Sequence, residues 1–146
     1  MNLIIGYTYL VPIHRDFDTN EAIRTSISIP VGESELTNVL KYRTRHNFKI
    51  DVESTFGPLN VGFAILHSSQ TVTIDELLNN IGLIGFYRDA NPNGYVKVDS
   101  RISYSFPKLK LSVVAENLLN HEYTLRQGLL EAPRNIGFRL GYKFQG

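Results

Sequence analysis

"RNIGFRLGYKF" (residues 134–144) alternates along almost its whole length. Ile136, Phe138, Leu140, Tyr142 and Phe144 take every second position, and Asn135, Gly137, Arg139, Gly141 and Lys143 fill the places between. Successive side chains of a β-strand point to opposite faces, so this stretch predicts a strand with one apolar and one polar face. It leaves open whether the apolar face meets a soluble core or lipid.

The same period of two recurs toward the N-terminus. "LKLSVVAEN" (109–117) sets Leu109, Leu111, Val113 and Ala115 against Lys110, Ser112 and Glu116. "YVKVDSRISYSF" (95–106) sets Val96, Val98, Ile102, Tyr104 and Phe106 against Lys97, Asp99, Arg101, Ser103 and Ser105. "NVGFAILHSS" (60–69) places Val61, Phe63 and Ile65 opposite the small residues Gly62 and Ala64. In "KYRTRHNFKIDVESTF" (41–56) the odd positions are Lys41, Arg43, Arg45, Asn47, Lys49, Asp51 and Glu53, while Phe48, Ile50, Val52 and Phe56 are even. "LIIGYTYLV" (3–11) adds Leu3, Ile5, Tyr7, Tyr9 and Val11. These segments predict an all-β chain, an antiparallel meander of about six strands.

Composition narrows the classes. The 146 residues suffice for one domain with a sizeable core, and a net charge of +1 gives no global argument for nucleic acid as a partner. The absence of cysteine removes disulfides, thiolate metal sites and thiol nucleophiles. No run approaches the roughly 18–20 apolar residues of a spanning helix. "MNLIIGYTYLVPIHRD" (1–16) lacks the basic segment and small-residue cleavage site of a secretory signal. A β-barrel stays open, since its strands give a much weaker hydropathy signal than a spanning helix.

The connections alternate in length. "GPLN" (57–60) and "PKL" (107–109) read as tight turns, whereas 12–38, 73–94 and 124–133 read as long polar loops. Within these, "IDELLNN" (74–80) suits a short helical turn and "DANPNG" (89–94) a loop. Short turns at one end and long loops at the other are the pattern of outer-membrane barrels. With the short turns on one rim, Phe56, Tyr104, Phe106, Tyr142 and Phe144 collect there as an expected aromatic girdle, with Tyr7 and Tyr9 near the start of the first strand. The stretch from His46 to Phe56 matches the length that a tilted strand needs to cross the hydrocarbon layer. The other face, with Lys49, Asp51, Glu53, Lys97, Asp99, Arg101, Lys110, Glu116, Arg139 and Lys143, is too charged for a filled core. The expectation is apolar face to lipid, polar face to a wet or plugged lumen.

"ENLLNHEYTLRQGLLEAPRNIGFRLGYKF" (116–144) resembles the C-terminal end of TonB-dependent outer-membrane receptors. The residues that carry the likeness are Asn117, Leu118, Leu119, Asn120 and Tyr123, then Pro133 and Arg134, then Tyr142 and Phe144. "LKYRTRHNFKIDV" (40–52) is similar to a Tyr-Arg-Pro-Arg-His segment of that family, with Thr44 in the place of the frequent Pro, and "GYTYL" (6–10) to an aromatic strand upstream of it. The resemblance implies that residues 1–146 are the C-terminal part of an outer-membrane barrel of the roughly 22-strand, plugged kind. It implies an incomplete piece, without the plug domain or the segment that meets the TonB energy complex. The implied function is uptake of a scarce ligand such as an iron chelate, cobalamin or a glycan. Implied partners are outer-membrane lipid, the remaining barrel strands and plug, and the ligand; the implied location is a Gram-negative-type outer membrane.

No catalytic, cofactor or metal site is expected. His14, Asp16 and Asp18 in "HRDFD" match no defined metal spacing, and His46, His67 and His121 have no carboxylate partner at a catalytic spacing. Two clusters are candidates for ligand or plug contact. Lys41, Arg43 and Arg45 are expected on the polar side near the long-loop rim, where they suit an anion. Phe86, Tyr87 and Arg88 lie in "LIGFYRDANPNG" (83–94) and are residue types favoured at binding hot spots. A soluble β-sandwich or barrel module with its polar face outside, and a small self-assembling outer-membrane protein, are the alternative readings.

Overall fold

A computed structural model of the chain describes residues 1–14, 38–75, 80, 82–126 and 128–144. Six strands form one antiparallel sheet: β1 (Asn2–Tyr9), β2 (His46–Phe56), β3 (Leu59–Ser68), β4 (Tyr95–Ser105), β5 (Leu109–Glu116) and β8 (Asn135–Tyr142). Their order in the sheet follows the chain, with a separate two-stranded hairpin, β6 (Thr124–Arg126) and β7 (Leu129–Leu130), inserted between β5 and β8. The sheet is open, and β1 and β8 are its edges.

The register preserves the alternation across all six strands. Tyr7 faces Phe48, which faces His67; Ile5 faces Ile50, then Ile65, then Val98. Ile102 faces Val113, which faces Phe138. On the opposite face, Lys49 is level with Leu66 and Lys97, and Asp51 with Ala64 and Asp99. Slipping any strand by one residue would exchange the two sets, so the side-chain pattern itself fixes the pairing. At the β2–β3 hairpin, Gly57 takes a φ of 58° just before Pro58, the sequence and backbone pattern of a type II′ turn.

Burial is inverted relative to a soluble sheet protein. Leu3, Ile5, Phe63, Ile102, Leu111, Ile136, Phe138 and Leu140 on the apolar face are exposed. Gly62, Ser68 and Ser103 on the polar face are buried. Among the described residues the buried apolar side chains include Pro12, Ile74, Tyr95, Ala115 and Tyr123. No helix among the described residues is long and apolar enough to cross a membrane.

Four expectations change. Residues 83–94 are no simple loop: Gly82–Ala90 form a helix, α1, that "NPNG" and the weak helix formers Gly82 and Gly85 conceal. The long connection before β8 carries the β6–β7 hairpin. Lys41, Arg43 and Arg45 precede β2 rather than extending it, because Tyr42 turns the chain at a φ of 61°. Tyr7 and Tyr9 stand at the long-loop rim beside His46, since β1 runs from the short-turn rim upward. For "IDELLNN", Ile74 and Asp75 are irregular, Asn80 is helical, and 76–79 lie outside the described residues, as do Asp16 and Asp18.

Candidate functional site

The polar face ends, at the long-loop rim, in one row of neighbours: Thr8, Asn47, Ser68 and Tyr95. Ser68 Oγ donates to Asn47 Oδ1 at 2.8 Å, and Asn47 Nδ2 donates to Thr44 Oγ1 at 3.0 Å. This row is the floor of a cavity of about 360 Å³. Arg43 and Thr44 stand at its side, Tyr87, Arg88 and Asn91 close it from above, and Thr124 and Leu125 also line it.

Side-chain hydrogen bonds hold the roof in place. Gln70 Nε2 donates to the carbonyls of Arg88 (2.6 Å) and Asn91 (3.1 Å) at the end of α1, which also accept the N–H groups of Asn91 and Gly94. Arg88 Nη2 donates to the Thr71 carbonyl at 3.2 Å. His121 Nε2 lies 3.0 Å from Asn91 Oδ1, and the Tyr87 hydroxyl donates to the Glu122 carbonyl at 3.4 Å. Gly94, at a φ of 81°, lets the chain pass close to β3: a Cβ there would meet the Ser68 carbonyl oxygen at 2.0 Å.

The two predicted clusters meet here in part. Arg43, Tyr87 and Arg88 line the same cavity, whereas Lys41, Arg45 and Phe86 do not. Lys41 is held by Asp75, Nζ to Oδ1 at 2.6 Å, and Asp75 also accepts from the Tyr42 hydroxyl. Arg45 contributes backbone: its N–H donates to Ser69 Oγ and its carbonyl accepts from Leu10. Phe86 projects away from the cavity with 75% of its surface exposed. Gln70, Asn91, Asn47 and Ser68 escape a reading of the sequence; the strand-end parity of Asn47 and Ser68 is the one signal that points to them.

The Lys41 ammonium and the Tyr42 hydroxyl hydrogen-bond Asp75 and hold its carboxyl below the usual carboxylate range. Burial, then the hydrogen bond and charge of Asp75, push the Tyr42 hydroxyl up. Burial also pulls the Arg88 guanidinium down, partly offset by the neighbouring charge of Asp89.

Lower on the polar face, Arg101 Nη2 meets Asp51 Oδ1 at 2.8 Å and Glu53 Oε2 at 3.5 Å, and Lys97 meets Asp99 at 3.0 Å. Gly62 makes the first contact feasible: Arg101 crosses β3 where a Cβ would lie 2.6 Å from its Nε. No group of three or more metal-ligating side chains occurs among the described residues.

Comparison with family models, curated proteins and solved structures finds no match for this chain. The motif residues therefore rest on their geometry. Asn117, 1% exposed, adopts a φ of 51°; its Nδ2 donates to the carbonyls of His121 (3.0 Å) and Ala132 (3.3 Å), and its Oδ1 accepts from His121 N–H. Asn120, at a φ of 50°, accepts the Arg134 N–H at 2.9 Å. Tyr123 is buried against Tyr95, ring centroids 4.8 Å apart. At the short-turn rim Tyr104 contacts Phe106 and Tyr142 contacts Phe144, with Phe56 exposed nearby.

Proposed function

We propose that this chain is part of the wall of an outer-membrane β-barrel that takes up a scarce ligand, in the manner of the TonB-dependent receptors it resembles. The observation that carries the reading is the inversion of burial: apolar side chains dominate one face of the sheet and most of them stay exposed, while charges gather on the other. Six strands at the usual spacing make that face roughly 700 Å², beyond the few hundred Å² that a soluble monomer leaves bare.

Two aromatic bands add support. Phe56, Tyr104, Phe106 and Tyr142 mark one rim; Tyr7, Tyr9 and His46 mark the other, with the Tyr7 hydroxyl 2.9 Å from His46 Nδ1. Ten residue steps of β2 separate the bands, about 33 Å along the strand. A tilt of about 40° reduces this to about 25 Å, the height of the apolar belt of a barrel. In this reading the open edges β1 and β8 pair with further barrel strands, the Asp51–Arg101–Glu53 and Lys97–Asp99 groups face the lumen or a plug, and long loops and α1 face outward. Energy coupling is left to other parts of the receptor.

The chain has no tryptophan, so single-Trp variants are free of background. In brominated lipid, Phe63→Trp is expected to be strongly quenched and Leu66→Trp, on the opposite face, weakly. Equal quenching of the two would refute a lipid-facing apolar side. Loss of uptake of one member of an iron-chelate, cobalamin and glycan panel on gene deletion would support transport, and unchanged accumulation of all three would oppose it.

A further inference from the structure

The cavity under α1 is electrostatically one-sided. Among the described residues two guanidinium groups, Arg43 and Arg88, line it, and no carboxylate does. Among the described residues the Arg43 side chain makes no ion pair or hydrogen bond. Arg88 uses Nη2 on the Thr71 carbonyl, while its Nη1 is buried with no hydrogen-bond partner. A carboxylate or phosphate is the group whose geometry matches a planar guanidinium fork, and the exposed Arg43 offers one to the cavity. Beside the apolar Leu10 and Leu125, the lining includes the hydroxyls and amides of Thr44, Asn47, Gln70 and Thr124, which suit the remaining oxygens of such a group. Lys41 is no third cation for the site, because Asp75 holds it.

We propose that this cavity binds a small multivalent oxyanion, a phosphate or a dicarboxylate, between Arg43 and Arg88. The volume falls in the range of ligand pockets and exceeds what the anion alone needs, so a larger molecule presenting that group also fits. The proposal deepens the uptake reading and rests on it for its biological role.

The test is calorimetric titration of the native gene product, extracted in detergent, with sodium phosphate and with succinate, using glycerol as the neutral control. Saturable binding of phosphate or succinate, but not glycerol, is expected, weakening as NaCl rises. Arg43→Gln removes no hydrogen bond of the fold and is expected to weaken binding about tenfold or more. Arg88→Gln removes a roof contact as well, so Arg88→Lys accompanies it; retaining the charge without the fork, it is expected to lose less than Arg88→Gln but still bind measurably worse. The preferred anion identifies the group that the ligand carries. No saturable heat with either anion, or unchanged affinity in Arg43→Gln, overturns the site. Phosphate binding by a protein that stays monomeric without detergent would keep the site and sink the barrel. Lipid quenching at Phe63→Trp with no anion heat would do the reverse.

Discussion

Asn117 shows how much one side chain can hold. Its amide joins the start of the β5–β8 connection to both His121 and Ala132, and its backbone N–H donates to Asp99 Oδ1 at 2.9 Å. Asparagine tolerates the left-handed backbone that most residues resist. Asn117→Ala leaves buried groups unpaired and strains that backbone, so a loss of about 3 kcal/mol is expected in urea unfolding of the detergent-extracted protein. Asn117→Gly keeps the backbone but not the hydrogen bonds and should recover about 1 kcal/mol of that loss. Equal stability of the wild type and Asn117→Ala would show that the amide ties nothing down. The sequence points to Asn117 and Asn120 only through resemblance. Nothing in alternation or composition marks an asparagine as a corner, because its effect comes from partners four and fifteen positions away.

At the scale of elements, strands were legible and the rim was not. The period of two locates all six strands of the sheet, because successive side chains point to opposite faces and differ in polarity over eight or more residues. Helix α1 has no such contrast: Leu83 and Phe86 are exposed, and none of its side chains is buried. Tertiary hydrogen bonds from Gln70 and Arg88 fix it instead, and these join positions 17 and 18 residues apart. The cavity inherits that limit, so Arg43 and Arg88 were visible separately and their meeting was not. The 41–42 turn is a second rim element, clamped to Asp75. The depressed folded pKa of Asp75 means its contribution is complete above the unfolded value of about 4, and is lost as pH falls through the lower folded value. A carboxyl ¹³C titration of Asp75 should therefore give a midpoint below 3.8, moving up toward that value in Lys41→Met. A wild-type midpoint at or above 3.8 would show that the clamp does not form.

In the proposed reading the whole molecule is a sheet with its two faces assigned to different solvents. Phe63 and Leu66 lie on one strand and on opposite faces, with Leu66 between Lys49 and Lys97 in the register. Phe63→Arg should destabilise the protein in lipid by about 2–4 kcal/mol, the cost of a cation on the lipid face near mid-membrane. Leu66→Glu, placed between two lysines, should change it by less than about 1 kcal/mol. Refolding yields into vesicles measure both, and similar losses would contradict the two-solvent arrangement. The parity of the strand count has its own consequence. Six antiparallel passes bring the start of β1 and the end of β8 to the same rim, the one that carries the short turns. Topologically the unit is a return ticket: whatever precedes Asn2 and whatever follows Tyr142 begin on one side. A sheet of this kind can therefore be spliced into or out of a larger barrel without reversing the sidedness of any neighbouring strand.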